Sequence, residues 1–391
     1  MLKRLASHFL SRAQAAAPVL KAYPVHLLPG GSPVRGNALF SYIADSVGWP
    51  DGHPGLLAHS NFWECREIAR ILSEMGFGVD AVNWNDETFQ PAKEYDLVLD
   101  IDANLQRWAP LLPENTVRIL HLTGSYGPFQ NQAELERVAA FERRTGKLYS
   151  PKRLVRWLEL AERSLRLAHH CSLIGNENTL QTYPEEYRGK ITLIPVSGSD
   201  LPRSRTAEEI ASGKREFLWF FESGAVHKGL DLVLEAFGRH PEWVLHVVGS
   251  APRERDFAAA YGRHLSLPNI RVHGHLKPGQ SSFAEQIRDV FCFIAPTCSE
   301  GTSPAVVTCL QWGLFPILSR QTGVDVPDGC GIFLDELTPL AVEQAVQEAL
   351  EMSNGEIVRQ TRACQELALE KYSRKAFSRA YSDFLRNIAG A

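Results

Sequence analysis

Residues 215–250 read REFLWFFESGAVHKGLDLVLEAFGRHPEWVLHVVGS. The spacing of their apolar residues changes from that of a strand to that of a helix and back again. Within 215–223, the run FLWFF at 217–221 is aromatic and continuously apolar, which predicts a buried strand, and the mostly apolar stretch 243–250 predicts a second strand. Between them, 228–240 spaces its apolar residues as one face of a helix, and a loop containing Gly224 precedes it. Strand, loop, helix and strand in this order form a βαβ unit with parallel strands. The segment therefore predicts an α/β fold.

The same alternation extends in both directions from this unit. Downstream, the pattern predicts helices over 253–265, 304–313, 338–351, 354–370 and 374–388, and strands over 269–276, 290–296, 315–319 and 330–334. Upstream, it predicts helices over 59–76 and 154–170, and strands over 39–44, 79–84, 95–102, 117–124, 171–175 and 191–196. Two such series predict two doubly wound, Rossmann-like domains facing a central cleft. Ligands of such sheets bind beyond the carboxyl ends of the strands, so the cleft is the expected site.

The length of 391 residues agrees with two domains, at roughly 100–200 residues per domain. We predict a first domain over 1–200, a polar, breaker-rich linker over 201–215, and a second domain over 216–373. A separate helix over 374–391 follows the second domain.

Composition excludes several classes of protein. A net charge of -4 argues against nucleic-acid binding, and no segment approaches the ~20 apolar residues that span a bilayer. The seven cysteines show no C-x-x-C spacing, which predicts reduced, buried thiols in a cytoplasmic protein. The first 23 residues place apolar side chains near helical spacing among lysines and arginines. They predict either a peripheral membrane contact or an ordinary surface helix.

Lys228 and Gly229 follow a loop at the carboxyl end of a predicted strand. A helix that begins there presents free backbone N–H groups and the positive end of its dipole, which favours phosphate. The Lys228 ammonium adds a full positive charge. The alternative interpretation is a solvated lysine at the start of a helix.

Glu300 and Gly301 lie between a predicted buried strand and a helix that starts near Pro304. We expect the backbone amides at 302–305 to bind a second anion or the hydroxyls of a sugar, and the Glu300 carboxylate to accept hydrogen bonds from those hydroxyls. The alternative is a surface glutamate in a loop. His121 lies in or at the end of a hydrophobic strand. It is either a functional histidine or a histidine buried in the core.

These segments together resemble the family 4 retaining glycosyltransferases of the two-domain GT-B fold, the glycosyl transferases of group 1. The resemblance covers 215–335, through K-G-x-D-L-x-L-x-A-F, V-V-G-S, N-I-x-V-x-G, and S-E-G before G-L-x-P-I. It is weaker over 117–200, where E-R-S-L-R-L-A-H-H and I-P-V-S-G-S-D occur. It implies that the first domain binds the acceptor, that the second binds the donor, and that the last helix packs back on the first.

The resemblance also implies roles for individual residues. Lys228 would pair with the donor diphosphate, Glu300 would contact the donor sugar, and His121 would lie across the cleft near the acceptor; these three are the predicted catalytic residues. The predicted donor-binding residues are Ser223, Gly224, Lys228, Gly229, His275, Glu300, Gly301, Thr302, Ser303 and Thr308. The predicted acceptor-side residues are His59, Asn61 and Gly124. A nucleoside-diphosphate sugar would be the co-substrate, with no cofactor and no metal, and a glycan or lipid-linked glycan the acceptor.

Two positions depart from the family pattern. Thr308 stands where the family has a second glutamate that holds the ribose, and Ser223 stands where it has a basic residue. The run V-x-T-C-x-x-x-G-L-x-P-I is similar to a subgroup that shares the threonine. Two alternatives therefore stay open: a non-catalytic GT-B binding or scaffold subunit, and another GT-B enzyme such as a sugar-nucleotide epimerase.

Two other motifs suggest a metal. Asp100-Ile101-Asp102 has the D-x-D form with which single-domain glycosyltransferases hold a divalent cation, although two acidic residues at a strand end are the simpler interpretation. His53, His59 and Glu64 match no common metal-ligand spacing. We therefore expect no metal site.

Overall fold

The computed structural model describes residues 24–198, 203, 205–212, 216–278 and 280–389. The predicted N-terminal helix and part of the predicted linker, residues 201–202, 204 and 213–215, lie outside these residues. The described part has the mixed α/β architecture expected from the sequence, with a seven-stranded sheet in the first half and a six-stranded sheet in the second.

The first sheet has the strand order β1-β3-β2-β4-β5-β6-β7. All neighbouring strands are parallel except β1, which pairs antiparallel with β3 at the edge. The strands are β1 (Val25–Leu27), β2 (Gly36–Tyr42), β3 (Phe77–Asn83), β4 (Leu97–Asp100), β5 (Val117–Leu122), β6 (His170–Ile174) and β7 (Ile191–Ile194). The helices of this half are α1 (Ser60–Glu74), α2 (Asn104–Trp108), α3 (Gly127–Thr145), α4 (Leu158–Leu167), α5 (Glu177–Leu180) and α6 (Glu185–Arg188).

The second sheet is parallel throughout, with the order β10-β9-β8-β11-β12-β13. Its strands are β8 (Glu216–Phe220), β9 (Val244–Val248), β10 (Ile270–Gly274), β11 (Cys292–Ala295), β12 (Phe315–Leu318) and β13 (Ile332–Phe333). The helices of this half are α7 (Ala207–Ser212), α8 (Leu230–Arg239), α9 (Arg255–Leu265), α10 (Ser281–Gln286), α11 (Pro304–Gln311), α12 (Pro339–Glu351), α13 (Asn354–Lys371) and α14 (Arg374–Ala389). Helix α7 lies within the predicted linker.

Strand β8 lies inside its sheet, which explains why residues 217–221 are continuously apolar. Phe217, Leu218 and Trp219 are all fully buried, although successive side chains of a strand point to opposite faces of the sheet. Both faces of a parallel sheet are covered by helices, so neither face selects polar residues.

Helix α3 was not predicted from the sequence, and it links the two halves. Its Phe141 packs against Phe257 and Tyr261 of α9, with ring centroids 6.4 and 5.7 Å apart. Its Arg137 donates two hydrogen bonds, of 2.8 and 2.9 Å, to the carboxylate of Asp231 on α8. The helix follows β5 in the chain, and its Arg137 and Phe141 side chains are buried against the second half.

Helix α14 makes the reverse connection, because it follows the second sheet and packs on the first half. Phe377 lies edge-on to Trp63 of α1, at 5.8 Å, and the Tyr381 hydroxyl is 3.1 Å from Ser172 Oγ on β6. Helices α3 and α14 therefore each connect the two halves.

Replacing buried Glu64 of α1 with glutamine is expected to stabilise the protein at high pH. Glu64 is 1% exposed and accepts hydrogen bonds from Ser197 N and Oγ, at 2.7 and 2.9 Å. Burial raises the pKa of Glu64 from 4.5 to about 7. The folded state therefore binds more protons than the unfolded state between these values, and stability falls as the pH rises through this window.

Glu64→Gln removes this ionisation and keeps an acceptor for Ser197. Urea unfolding gives the free energy of unfolding of the variant and of the wild type at pH 4 and at pH 8. The variant's advantage over the wild type should grow by about 3 kcal/mol from pH 4 to pH 8, for a shift of ~2.5 pKa units. Glu74→Gln, at an exposed position of the same helix, is the control. A Glu64→Gln difference that does not change with pH would contradict the raised pKa.

Candidate functional site

Lys228 and Gly229 lie between the end of β8 and the start of α8. Gly229 has φ +69°, and a Cβ atom there would lie 2.4 Å from the carbonyl oxygen of Pro296, directly after β11. Glycine is therefore required on steric and conformational grounds. This close approach brings the α8 N-terminus against the segment that carries Glu300.

The Lys228 ammonium and the Glu300 carboxylate are in direct contact. Lys228 is 6% exposed, and its Nζ also lies 5.2 Å from the ring centroid of Phe221. Burial lowers the pKa of Lys228, and the nearby guanidinium of Arg153 lowers it further. The structure thus brings together the two residues predicted to contact the diphosphate and the sugar, in a setting where an anion would stabilise the ammonium form.

The Glu300 loop is attached to the first half of the chain. Ser125 Oγ donates to the carbonyl oxygen of Glu300 at 2.6 Å, and the Thr302 amide donates to the carbonyl oxygen of Ile174 at 3.2 Å. A Cβ atom on Gly301 would lie 2.4 Å from that same Ile174 oxygen. Only glycine allows this approach, so Gly301 lies at the junction of the two halves.

The expectation that the amides at 302–305 bind an anion needs correction. The Thr302 amide is used by Ile174, the Ser303 amide donates to Thr322 O at 3.0 Å, and proline 304 has no N–H. Both Thr302 and Ser303 are buried. Among the three residues of 302–305 that have a backbone N–H, only Ala305 does not donate it to a carbonyl oxygen outside its own helix.

Thr308 is directed to its own helix. Its hydroxyl donates to the carbonyl oxygen of Pro304 at 2.9 Å, and the residue is 6% exposed. This backward bond is typical of threonine inside helices. The single proton of the Thr308 hydroxyl is therefore already used in a hydrogen bond within the helix. A glutamate carboxylate at this position would have no proton to donate and would only accept hydrogen bonds.

The loop before Lys228 already binds a carboxylate of the protein. Gly224 N donates to Glu254 Oε1 at 2.6 Å, Ala225 N donates to the same atom at 3.3 Å, and Tyr149 OH donates to Glu254 Oε2 at 2.5 Å. Ser223 is half-buried beside this contact. Neither Ser125 nor Glu254 was predicted, although the position of Ser125 in a Gly-rich turn after β5 was a usable signal.

His275 is exposed at the edge of the second sheet. Its Nδ1 lies 2.7 Å from Glu222 Oε2, and Ser250 Oγ donates to the other oxygen of Glu222 at 2.6 Å. The predicted donor residue His275 is therefore held at the rim of the loop that leads to Lys228.

His121 does not lie where the family resemblance places it. It is fully buried on β5, its Nδ1 is 2.8 Å from Ser172 Oγ, and its ring packs edge-on against Tyr42 and Tyr381 at 5.7 and 5.5 Å. Burial lowers the pKa of His121 to about 3. The prediction of a histidine facing the cleft is corrected: His121 is a neutral core residue between the sheet and α14.

The predicted acceptor-side residues lie on the first half. His59 precedes α1, is exposed, and accepts a hydrogen bond from the Asn61 amide through Nδ1 at 3.2 Å. Gly124 accepts from the Tyr183 hydroxyl at 2.7 Å, and its Cα lies 3.2 Å from the position of a Cβ atom on Gly301. Gly124 thus adjoins the Glu300 loop, and His59 remains accessible to solvent.

The D-x-D motif has a structural role. Asp100 is fully buried, and its Oδ2 accepts a hydrogen bond from the Leu105 amide at 2.8 Å, at the start of α2. Burial and the charge of Asp100 raise the pKa of Asp102 to about 6. Within the described ranges, no three histidine, cysteine, aspartate or glutamate side chains are grouped to hold a metal ion.

The second half of the chain is similar to a known protein family. Residues 217–352 match the family glycosyl transferases group 1. The matched segment contains Lys228 and Glu300, and it agrees with the resemblance stated from the motifs. None of the curated proteins matches the sequence.

Solved structures that cover about nine-tenths of the chain have a similar fold. HepE (Alr3699) of Anabaena, in complex with UDP and glucose, has a TM-score of 0.55 and 12% identity, with 91% of this chain and 99% of that chain covered. The sucrose-phosphate synthase of Thermosynechococcus elongatus has a TM-score of 0.56 and 14% identity, with 91% and 100% covered. A glycosyltransferase of Rickettsia africae has a TM-score of 0.54 and 11% identity, with 90% and 99% covered. The fold is the two-domain GT-B arrangement predicted from the sequence.

No helix in the described part of the chain is long and apolar enough to cross a bilayer. All seven cysteines are buried, and none forms a disulfide.

Proposed function

We propose that the protein transfers a sugar from a nucleoside diphosphate to a hydroxyl of a glycan or lipid-linked acceptor, with retention of configuration. The observation that carries this proposal is the buried contact between Lys228 and Glu300, at the point where the Glu300 loop meets the first half. Both residues lie within the segment that matches the group 1 family. A lysine beside a carboxylate at a helix N-terminus can hold a diphosphate and a sugar hydroxyl side by side.

The chemistry needs a group that stabilises the leaving diphosphate. Lys228, with its ammonium close to the start of α8, supplies positive charge without a metal. The acceptor hydroxyl then attacks from the face that the phosphate leaves, and an oxygen of that phosphate takes its proton. No protein base is required, which is compatible with the burial of His121 away from solvent.

UDP-hexose is the first donor to test. HepE, which has a similar fold, was solved with UDP and glucose, and TarM of S. aureus, which also has a similar fold, was solved with UDP and alpha-GlcNAc-glycerol. We also propose a cytoplasmic location, because seven buried cysteines without a disulfide favour a reducing compartment.

A non-catalytic GT-B subunit is the second candidate, and three contacts favour it. The Thr308 hydroxyl is bound to its own helix, and the Gly224 and Ala225 amides are bound to Glu254. A protein that has lost catalysis would keep the fold and occupy its anion-binding amides internally.

Thermal unfolding with UDP, GDP, dTDP and ADP, each with and without magnesium, tests the proposal. A ligand at about a hundred times its dissociation constant stabilises the fold by roughly 2.7 kcal/mol. We expect one nucleotide to raise the melting temperature without metal, and Lys228→Ala to lose this gain. Lys277→Ala, at an exposed position of the same half, is the matched control and should keep it.

Two results would count against the proposal. If no nucleotide stabilises the wild type, the non-catalytic subunit becomes the better interpretation. If the gain requires magnesium and survives Lys228→Ala, a metal-dependent site elsewhere binds the nucleotide. Epimerised nucleotide sugar formed without an acceptor would instead indicate an epimerase.

A further inference from the structure

The segment 152–155 of the first half is held by one face of α3. Glu134 Oε1 accepts hydrogen bonds from the amides of Lys152 and Arg153, at 2.6 and 2.8 Å. Gln130 Nε2 donates to the carbonyl oxygen of Arg153 at 2.5 Å. Both peptide groups of Arg153 are therefore fixed by side chains of a helix that itself packs on the second half.

This backbone directs the Arg153 side chain onto the loop before Lys228. Arg153 Cγ and Cδ lie 3.1 and 3.4 Å from the position that a Cβ atom would take on Gly224. Gly224 also has φ +80°, so both space and conformation favour glycine there. A residue from the first half thus packs against the loop in which Ser223 replaces the usual basic residue.

The Arg153 guanidinium has no partner within the described residues. No hydrogen bond or ion pair of its side chain occurs there, and its Nε is buried without an acceptor. Arg153 is half-buried. Drawing a cation out of water without a partner is costly, so such an arrangement points to a missing anion. The carboxylates of Glu134 and Glu254 act on Arg153 through their charge but form no hydrogen bond with its guanidinium. Glu134 Oε1 accepts from the amides of segment 152–153 while its Oε2 is buried without a hydrogen-bond partner, and Glu254 accepts from the amide of Gly224.

The charges of Arg153 and Lys228 repel each other when no ligand is bound, while the Glu134 carboxylate attracts both. Burial lowers the pKa of Arg153 and of Lys228, and the Arg153 charge lowers the pKa of Lys228 further. The guanidinium of the first half therefore lies close enough to act on a residue of the second half. An anion between Arg153 and Lys228 would relieve the repulsion and raise both pKa values.

We propose that Arg153, carried by the first half, is the second cation of the diphosphate site, in the place of the basic side chain that Ser223 lacks. This inference rests on the proposed function, because it assigns a further residue to the same donor site. It also makes the donor site a product of both halves: the diphosphate would bind Lys228 on one side of the junction and Arg153 on the other. Donor binding would then favour the closed arrangement of the two halves.

Inorganic pyrophosphate tests this assignment without knowledge of the donor base. Isothermal titration should give a dissociation constant that rises roughly 10- to 100-fold in Arg153→Gln, the loss expected for charge-assisted hydrogen bonds to phosphate. Arg153→Lys should recover part of the affinity, because it restores the charge but not the bidentate geometry. Arg156→Gln, three residues away and exposed, should bind like the wild type.

A second variant separates a binding role from a structural one. Ser223→Arg in the Arg153→Gln background restores a cation from the other side of the loop and should recover pyrophosphate affinity. The melting temperatures of the unliganded variants, measured in parallel, show whether each is folded.

The outcomes distinguish this inference from the proposed function. If folded Arg153→Gln binds pyrophosphate and the stabilising nucleotide as tightly as the wild type, while Lys228→Ala does not, the Arg153 assignment is wrong and the donor site stands. If the wild type binds neither pyrophosphate nor any nucleotide of the panel, both are overturned. A loss of affinity confined to Arg153→Gln and Lys228→Ala supports both.

Discussion

Glu300→Gln is expected to lower kcat/KM for sugar transfer by about 10²- to 10³-fold, the usual cost of removing one preorganised electrostatic group. The carboxylate contacts the Lys228 ammonium and is within 3.5 Å of the Thr297 hydroxyl. Glutamine keeps the shape but loses the charge. The pKa of Lys228, already lowered by burial and by Arg153, then falls further.

This loss should depend on pH in a defined direction. A lower pKa means that Lys228 loses its proton at a lower pH, so the defect of Glu300→Gln should grow as the pH rises. The measurement is the release of nucleoside diphosphate from the donor identified by thermal unfolding, with acceptor present, from pH 6 to pH 9. Glu285→Gln, at an exposed position of α10, should behave as the wild type. A Glu300→Gln enzyme with unchanged rates across this range would restrict Glu300 to a structural role.

Asp231→Ala is expected to lower the free energy of unfolding by about 3–5 kcal/mol, the cost of leaving a buried ion-pair partner uncompensated. The Asp231 side chain is 0% exposed and lies in the first turn of α8, where the helix dipole favours an acidic residue. It accepts two hydrogen bonds from Arg137 and one contact from Arg144, both on α3. Its removal would leave the Arg137 guanidinium, 5% exposed, without a counter-charge.

Urea unfolding measures this effect, and the same interface offers a control. Asp256 pairs with Lys152 across the two halves at 3.4 Å, but both side chains are about one-third exposed. Asp256→Ala should therefore cost under about 1 kcal/mol. Because Asp231 joins α3 to the second half, Asp231→Ala should also separate the unfolding of the two halves into distinct steps. Equal losses in the two variants would show that the buried Arg137–Asp231 pair is not a main stabilising contact between the halves.

The elements of both sheets could be predicted because their signals are local. Strands such as β8 and β9 are short apolar runs, and helices such as α8 and α9 show a 3.6-residue period, so each can be recognised within a window of a dozen residues. The contact of Lys228 with Glu300 follows from the same pattern. Both residues come after neighbouring parallel strands, β8 and β11, whose carboxyl ends meet at one edge of the sheet.

Helix α3 could not be recognised in this way. It buries Glu134 and Arg137 together with Val138 and Phe141, so its buried face does not read as apolar. What makes that face favourable is its partner: Arg137 pairs with Asp231, 94 residues further along the chain. The surroundings of the site residues could not be predicted for the same reason. Nothing near His121 in the sequence indicates that Tyr381 of α14 covers it, and nothing near Arg153 indicates Gly224.

The sequence alone determined the alternation of strands and helices, the two sheets of mainly parallel strands, and the position of Lys228 and Glu300 at strand ends. Periodicity and strand direction are properties of the chain itself. The tertiary structure decided which predicted residues reach the junction of the two halves. It buried His121, engaged the amides of Thr302 and Ser303, and brought Arg153 to the loop of Gly224. Those outcomes depend on α3 and α14 crossing between the halves, and such contacts join residues too distant in sequence to leave a local pattern.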